Sequence, residues 1–350
     1  MTNRTAIART LVAAGIAALA SLAAPASWAL PSQYHVTPLG NRIVGKHLDG
    51  GGQVAVIDES AGKGSFRPAV WSGGAVVPLP DPNPKGAAYD LNDAGIAVGD
   101  VSGKGFSHAA MWTAAHQLVD LGGLFESDNS HVLGINAGGD CAMVAVVDDG
   151  GHVGQRSFFA RGCTNPQNIG QFGGNYTFVT AINDSGQMAG YSQLSTSSTD
   201  QRAYLWSGGT MRNLGTCRDT VSSGALGLNA AGHVVGFCSD AQGRFSGFYH
   251  DGIEMTRIGS LGGAQSEAWA INDADVIVGR SQTAAGAFHA FVLDRGAVPH
   301  RLHDLQTMLD ASGAGWVLQE AIDIDAAGRI LAHGTFGVLK NQYVLLTPLE

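Results

Sequence analysis

Residues 267–281 read Glu-Ala-Trp-Ala-Ile-Asn-Asp-Ala-Asp-Val-Ile-Val-Gly-Arg-Ser. An aliphatic residue, then Asn in a short polar segment, then a β-branched run closed by Gly is typical of two antiparallel strands joined by a tight turn. Asn suits such a turn because its side chain can hydrogen-bond the backbone two residues further on. The stretch therefore predicts a small β-hairpin centred on Asn272.

The same phrase occurs seven times along the chain, and we call the Asn or Asp at its centre the anchor residue. The anchors are separated by 43, 44, 47, 46, 43 and 53 residues. A period in this range is what a four-stranded propeller blade needs. The seven anchors are Asp49, Asn92, Asn136, Asn183, Asn229, Asn272 and Asp325.

Each repeat also holds a second strand-like phrase, as at 108–112 and 202–206, followed by a Gly-containing turn and a strand that ends in Leu-Gly. Residues 34–40 match only the last of these strands, whereas the chain ends on the strand before it. The fold class predicted is thus an all-β propeller of seven four-stranded blades, with the two termini sharing one blade and leaving no open sheet edge. Six blades plus an irregular closing unit is the alternative, because the last spacing contains a helix-like insertion at 302–309.

The residues before the anchors support this fold independently of the spacing. All seven residues directly before an anchor are Leu or Ile, whereas most residues two and four positions before it are small. Because side chains alternate between the two faces of a strand, the pattern predicts one bulky and one small face on each inner strand. A bulky face packed against a neighbour's small face suits stacked blades. Trp71, Trp112 and Trp206 are expected to pack between blades.

The first 29 residues predict an export signal, with Arg4 and Arg9, an apolar run and a small-residue exit at Ala29. We expect residues 30–350 to form one propeller domain that is secreted or periplasmic, without membrane insertion, and monomeric. The net charge of −9 and the lack of any Lys/Arg cluster argue against nucleic-acid binding. No motif for a cofactor or a metal is present, and the partial calcium-loop pattern at 90–95 fails at its fifth position.

Four cysteines suit an oxidising compartment. Cys141 and Cys163 flank a hairpin centred near residue 152, and Cys217 and Cys238 lie near the ends of two later strands. We therefore favour the bonds Cys141–Cys163 and Cys217–Cys238 among the three possible pairings, with four free thiols as the alternative.

The His-Ala-Phe-Val at 289–292, the repeated Ala-x-x-Ile-Asn-Asp-x-Gly-x-Val-x-Gly phrase and the Leu-Gly-Gly at 121–123 and 261–263 resemble the extracellular HAF-repeat proteins. The similarity runs from about Tyr34 to the end of the chain. It implies an exported bacterial protein, but the family is defined by its repeats and implies no particular activity.

Three polar residues interrupt the small positions two residues before the anchors: His47, Asp90 and Asp323. They belong to three consecutive blades of a closed ring, so they are expected to converge near its axis. Two carboxylates and an imidazole could ligate a metal, act as acid and base, or bind a ligand. The alternative is that each side chain caps a neighbouring backbone amide.

A second candidate binding surface is the rim on which the outer strand of one blade passes to the next. Its connections are polar and Gly-flanked, and their aromatic residue could stack on a sugar ring. The candidate residues there are Asp128, His131, Tyr176 and Glu267.

No catalytic motif is recognisable, and we therefore expect a noncatalytic binding protein whose partner is an extracellular glycan or an envelope protein. Two other interpretations stay open. One is a polysaccharide lyase or hydrolase that uses His47, Asp90 and Asp323 at the mouth of the central channel. The other is a structural scaffold in an extracellular matrix.

Overall fold

The computed structural model describes residues 30–62, 64–103, 105–125, 129–148, 153–296, 298 and 300–349. The predicted export signal at 1–29 lies outside this part of the chain. Within it, 28 strands form seven four-stranded antiparallel sheets arranged as the blades of a β-propeller. The fold class predicted from the sequence is confirmed.

Blade 1 begins after β1 (Gln33–Pro38), and every blade runs from an inner to an outer strand. Blade 1 contains β2 (Ile43–Leu48), β3 (Val54–Asp58), β4 (Arg67–Ser72) and β5 (Ala75–Pro78). Blade 2 contains β6 (Ala87–Leu91), β7 (Ala97–Ser102), β8 (Ser107–Trp112) and β9 (Leu118–Asp120). Blade 3 contains β10 (Ser130–Ile135), β11 (Cys141–Asp148), β12 (Val153–Ala160) and β13 (Gln167–Asn168).

The later blades repeat this order. Blade 4 contains β14 (Thr177–Ile182), β15 (Met188–Gln193), β16 (Gln201–Ser207) and β17 (Thr210–Asn213). Blade 5 contains β18 (Ser222–Leu228), β19 (Val234–Ser239), β20 (Phe245–His250) and β21 (Met255–Arg257). Blade 6 contains β22 (Gly262–Ile271), β23 (Val276–Thr283), β24 (Phe288–Asp294) and β25 (His303–Asp304).

Blade 7 is built from both ends of the chain, as predicted. Its strands are β26 (Trp316–Ile324), β27 (Ile330–Phe336), β28 (Leu339–Leu349) and, outermost, β1. The long spacing before Asp325 holds two short 3-10 helices, Leu305–Met308 and Ala311–Gly313, in the region where the sequence predicted a helix-like insertion. The blade count is therefore seven, and the insertion lies in the connection between blades 6 and 7.

The core consists of apolar layers between neighbouring blades. Trp71, Trp112 and Trp206 are almost fully buried, and each lies in an apolar cluster that includes residues of the preceding blade. Burying a side chain of this size contributes on the order of 2–3 kcal/mol. The predicted role of these tryptophans in packing between blades is confirmed.

The predicted arrangement of the inner-strand faces is wrong in one respect. The pairing register of each inner strand shifts at the third residue before the anchor, which marks a β-bulge. Because the bulge adds a residue to one strand only, positions two and four before the anchor point to opposite faces. Gly45 accordingly faces Leu331 of the preceding blade, on the same face as Leu48, whereas Gly227, two residues before its anchor, faces Ala270 of the following blade.

Both favoured disulfide bonds are confirmed: Cys141–Cys163 and Cys217–Cys238, with Cα separations of 4.9 and 5.9 Å. We expect replacement of Cys217 and Cys238 by Ala to lower the free energy of unfolding by about 3 kcal/mol, because the bond closes a loop of 21 residues in the unfolded chain. Urea denaturation under non-reducing conditions measures this. Wild-type protein with reductant should lose more than this variant does, since the Cys141–Cys163 bond also breaks; equal midpoints in all samples would contradict the prediction.

Candidate functional site

The inner strands of all seven blades enclose a cavity of about 600 Å³ on the propeller axis. One mouth is formed by the anchor turns, which bring Asp49, Asp93 and Asp184 to the axis. Toward the other end, Phe237 and Glu267 line the wall. A cavity of this size can enclose a small molecule or a few residues of a polymer.

The bulge residues form a ring of seven side chains around this cavity. Because they are the extra residues of their strands, they have no partner in the pairing of the inner strand with the next one. In the sequence, these seven positions hold residues of different chemical types. The sequence does not show that they are bulge residues. The ring consists of Lys46, Tyr89, Leu133, Thr180, Leu226, Trp269 and Ile322, and all seven line the cavity.

The structure brings His47, Asp90 and Asp323 together, as their positions in consecutive blades predicted. The imidazole of His47 lies between the two carboxylates, with Nδ1 2.9 Å from Oδ2 of Asp323 and Nε2 3.1 Å from Oδ1 of Asp90. The carboxylates are 12% and 10% exposed, whereas the imidazole edge is 41% exposed to the cavity. Both ring nitrogens therefore face an acceptor.

Each of the two aspartates also binds backbone amides. Oδ2 of Asp323 accepts a hydrogen bond from the Leu48 amide of blade 1 at 2.8 Å, and Oδ1 accepts one from Ile324. Asp90 repeats this arrangement with the Ile135 amide of blade 3 at 2.8 Å and with the amide of Leu91. Both aspartates thus cap backbone amides, and each connects its own blade to the following one.

Nearby charges and burial have opposite effects on the pKa of His47. Burial disfavours the imidazolium, but the negative charges of Asp323 and Asp90 outweigh it and raise the pKa of His47 to about 10. Burial raises the pKa of Asp90 to about 6, against the opposing effects of His47 and the two backbone amides. At neutral pH His47 is thus a cation held by acceptors on both sides, and it is a poor general base.

These shifts predict that the protein loses stability as the pH rises. A folded-state pKa above the unfolded value means that the folded state holds its proton more tightly. The contribution of His47 is complete below about pH 6.5 and disappears toward pH 10, and that of Asp90 disappears between about pH 4 and 6. Urea denaturation at pH 6, 8 and 10 should show a steeper loss for wild type than for His47→Gln; parallel curves would refute the assignment.

The anchor residues form a second network around the axis. In five blades the anchor is Asn, whose Oδ1 accepts hydrogen bonds from amides of its own turn, as at Asn92 and Asn272. Its Nδ2 donates to the backbone oxygen of the next anchor, a contact between blades that sequence reasoning missed. The donors are Asn92, Asn136, Asn183, Asn229 and Asn272, at 2.9–3.2 Å from their acceptors.

Blades 7 and 1 have Asp at the anchor and lack this donor. Between them Arg329 takes its place: Nε lies 2.6 Å from Oδ2 of Asp325, and the guanidinium also donates to the backbone oxygens of Gly50 and Gly51. Between blades 1 and 2, Oδ1 of Asp93 accepts from the Gly50 amide. The ring of contacts at this mouth is therefore completed by charged groups where the chain closes.

We expect Arg329→Ala to lower the free energy of unfolding by about 2–4 kcal/mol, because it leaves the almost fully buried Asp325 carboxylate without its cation. The matched variant combines Arg329→Ala with Asp325→Asn, which restores the amide present in the other five blades. This double variant should recover at least half of the loss in urea denaturation. If it is no more stable than Arg329→Ala, the equivalence of the two links is wrong.

The predicted rim residues do not form one site. Asp128 lies outside the described residues. Nδ1 of His131 is 3.5 Å from Oδ1 of Asp100, and the ring of Tyr176 lies against Phe178 and Tyr191 with centroid separations of 6.0 and 5.9 Å. His131 and Asp100 lie on the neighbouring blades 3 and 2, whereas Tyr176 packs with aromatic residues of blade 4.

Glu267 belongs instead to an ion-pair network between blades 6 and 7. Arg280 contacts Oε1 of Glu267 at 2.6 Å and Oε1 of Glu320 at 2.7 Å. The guanidinium lies 5.7 Å from the centre of the Trp269 ring, so it also holds one aromatic side chain of the cavity wall. Glu267 thus lines the cavity and pairs with a cation that also contacts another residue of the cavity wall.

Among the residues of the described ranges, no group of three or more His, Cys, Asp or Glu side chains could hold a metal ion. In those same ranges no helix has the length and apolarity to cross a bilayer.

No protein-family model matches this sequence, and no curated protein is similar to it. Among solved structures, the β-propeller domain of the Trilobed protease from Pyrococcus furiosus is 9% identical with a TM-score of 0.56, over 91% of this chain and 94% of that one. An acylaminoacyl peptidase from Pyrococcus horikoshii is 10% identical with a TM-score of 0.57, over 87% of this chain and 51% of that one.

A prolyl endopeptidase is 9% identical with a TM-score of 0.51, over 84% of this chain and 47% of that one. The chain thus spans about half the length of each of these two peptidases. The Trilobed protease domain has an open velcro topology, whereas here β1 pairs with β28 and closes blade 7. At such low identity these similarities establish the fold alone: the chain is a seven-bladed β-propeller.

Proposed function

We propose that this chain is a noncatalytic, extracytoplasmic binding propeller that takes a saccharide into its axial cavity. The observation that carries the proposal is the mixed wall of the cavity. Tyr89, Trp269 and Phe237 are half-buried aromatic side chains on that wall, next to polar groups of other blades. A sugar ring has an apolar face that suits an aromatic ring and hydroxyl groups that suit polar side chains.

The state of the polar cluster favours binding over catalysis. Both nitrogens of His47 face carboxylates, and every carboxylate oxygen of Asp90 and Asp323 has a hydrogen-bond or ion-pair partner. A lyase or hydrolase would need a group that is free of such contacts and can exchange a proton with the substrate. The cluster is better suited to hold the shape of the wall.

The two disulfide bonds are typical of proteins from oxidising compartments. Together with the predicted signal at 1–29 and the resemblance to HAF-repeat proteins, they support export as part of the proposal. A saccharide of the cell surface or its surroundings would then be the available ligand.

The experiment is calorimetric titration and thermal unfolding with a panel of oligosaccharides, comparing wild type, Trp269→Leu and the control Phe66→Leu. Phe66 is 40% exposed and does not line the cavity. A ligand at 100 times its Kd should add about 2.7 kcal/mol to the stability of the wild type. Trp269→Leu should weaken binding about three- to tenfold, and Phe66→Leu should not.

Two results would overturn the proposal. Turnover of a saccharide that disappears in His47→Ala would replace binding by catalysis. No effect of any saccharide, together with self-association that depends on protein concentration, would favour the scaffold role.

A further inference from the structure

Lys46 is the one cation in the ring of bulge residues, and its surroundings are unusual for a lysine. Its side chain is half-buried on the wall of the axial cavity. It forms no hydrogen bond or ion pair with any residue that the structure describes, although Glu59 acts on it electrostatically from a longer distance. Burial lowers the pKa of its amine, because nothing nearby compensates fully for the water that the ammonium has lost.

From this arrangement we propose that Lys46 binds an acid group of the ligand, so that the cavity prefers acidic saccharides, such as those with a uronic acid, over neutral ones. The inference rests on the proposed function and names its ligand class. An ammonium group that is partly removed from water and has no counter-ion gains the most from a bound anion.

The charges around the cavity limit the kind of anion and its orientation. The anchor mouth carries Asp49, Asp93 and Asp184, which repel an acid group. Lys46 lies three residues before its anchor, farther along the inner strand from that mouth. An acid group bound at the level of Lys46 therefore lies away from the carboxylates of the anchor turns.

The number of charges is limited too. Lys46 offers one positive charge, whereas the charge of His47 is already held by two carboxylates. A singly charged group, a carboxylate or a sulfate ester, balances Lys46, whereas a phosphate monoester carries more negative charge than one ammonium balances.

The test compares a neutral oligosaccharide, its uronate counterpart and its sulfate ester, with acetate as the simplest anion. The chain has five lysines, so carbon-13 methylation of their amines gives few NMR signals, and Lys46→Gln assigns the signal of Lys46. Its pKa, followed by pH titration, should lie below those of the exposed lysines and rise when an acidic saccharide or acetate binds. Calorimetry should give about tenfold tighter binding of the acidic than of the neutral saccharide.

This preference should disappear in Lys46→Gln, persist in Lys46→Arg and be unchanged in the exposed control Lys85→Gln. Equal binding of neutral and acidic saccharides, with an unchanged Lys46 pKa, would overturn the inference while leaving saccharide binding intact. A Lys46 pKa that rises with acetate in a protein that binds no saccharide would support the anion site and overturn the proposed function. No response of Lys46 to any anion would overturn the inference outright.

Discussion

A chain lacking residues 30–39 is expected not to fold into a stable propeller. This segment contains β1, which pairs along its whole length with β28 and completes blade 7. It also buries Tyr34, Val36 and Leu39, which are 0%, 4% and 3% exposed. Burying three such side chains contributes about 5–9 kcal/mol, which is comparable to the whole stability of a typical domain.

The deletion also leaves β28 as an open sheet edge, which favours aggregation. Size-exclusion chromatography and near-ultraviolet circular dichroism should show aggregated protein without fixed tertiary packing. The matched control Val36→Ala keeps the strand and should lose only about 2–3 kcal/mol. A deleted chain that is monomeric and unfolds cooperatively at the wild-type midpoint would show that the shared blade does not hold the ring closed.

The second large effect is expected at the polar cluster, where Asp323→Ala should lower the free energy of unfolding by about 3–5 kcal/mol. The substitution leaves the amides of Leu48 and Ile324 without their acceptor. It also removes one of the two carboxylates that hold the imidazolium of His47. Asp323→Asn keeps an acceptor of the same shape and should lose about half as much.

Chemical denaturation of Asp323→Ala, His47→Ala and the double variant measures the coupling between these two residues. The double variant should lose less than the sum of the single variants, because each single change leaves the other group without its partner. Asp219→Asn is the control, since this side chain is 84% exposed and Asn tolerates the positive φ of 60° at that position. An Asp323→Ala protein of wild-type stability that has lost all ligand binding would assign the cluster to the ligand instead of the fold.

Much of the architecture can be predicted from the sequence because each repeat carries its own turn chemistry. The Asn or Asp anchors, the aliphatic residue before each of them and the spacing of the repeats all act within one hairpin or between adjacent blades. The convergence of His47, Asp90 and Asp323 also follows, since consecutive blades place equivalent residues side by side. The cysteine pairs were predictable for the same reason, because each bond connects residues only 22 or 21 positions apart.

The contacts of the rim residues could not be predicted from the sequence. His131 lies on blade 3, Tyr176 directly precedes the inner strand of blade 4, and Glu267 lies on blade 6. Glu267 has the polar character expected of a binding residue, yet its partners Arg280 and Glu320 hold it in a contact between blades. Polar loop residues look alike in a sequence whether they face a ligand or a neighbouring blade.

The sequence by itself determined the propeller fold, the sharing of one blade by the two chain ends and the residues of the polar cluster, because these depend on local turns and on a repeated pattern. It favoured seven blades, and the structure settled that number. Only the tertiary structure decided which side chains face the axis. A single extra residue in each inner strand changes the direction of the side chains that follow, and the pattern of residue types does not reveal it. These bulges place Lys46, Tyr89 and Trp269 in the wall of the axial cavity, where we propose that the ligand binds.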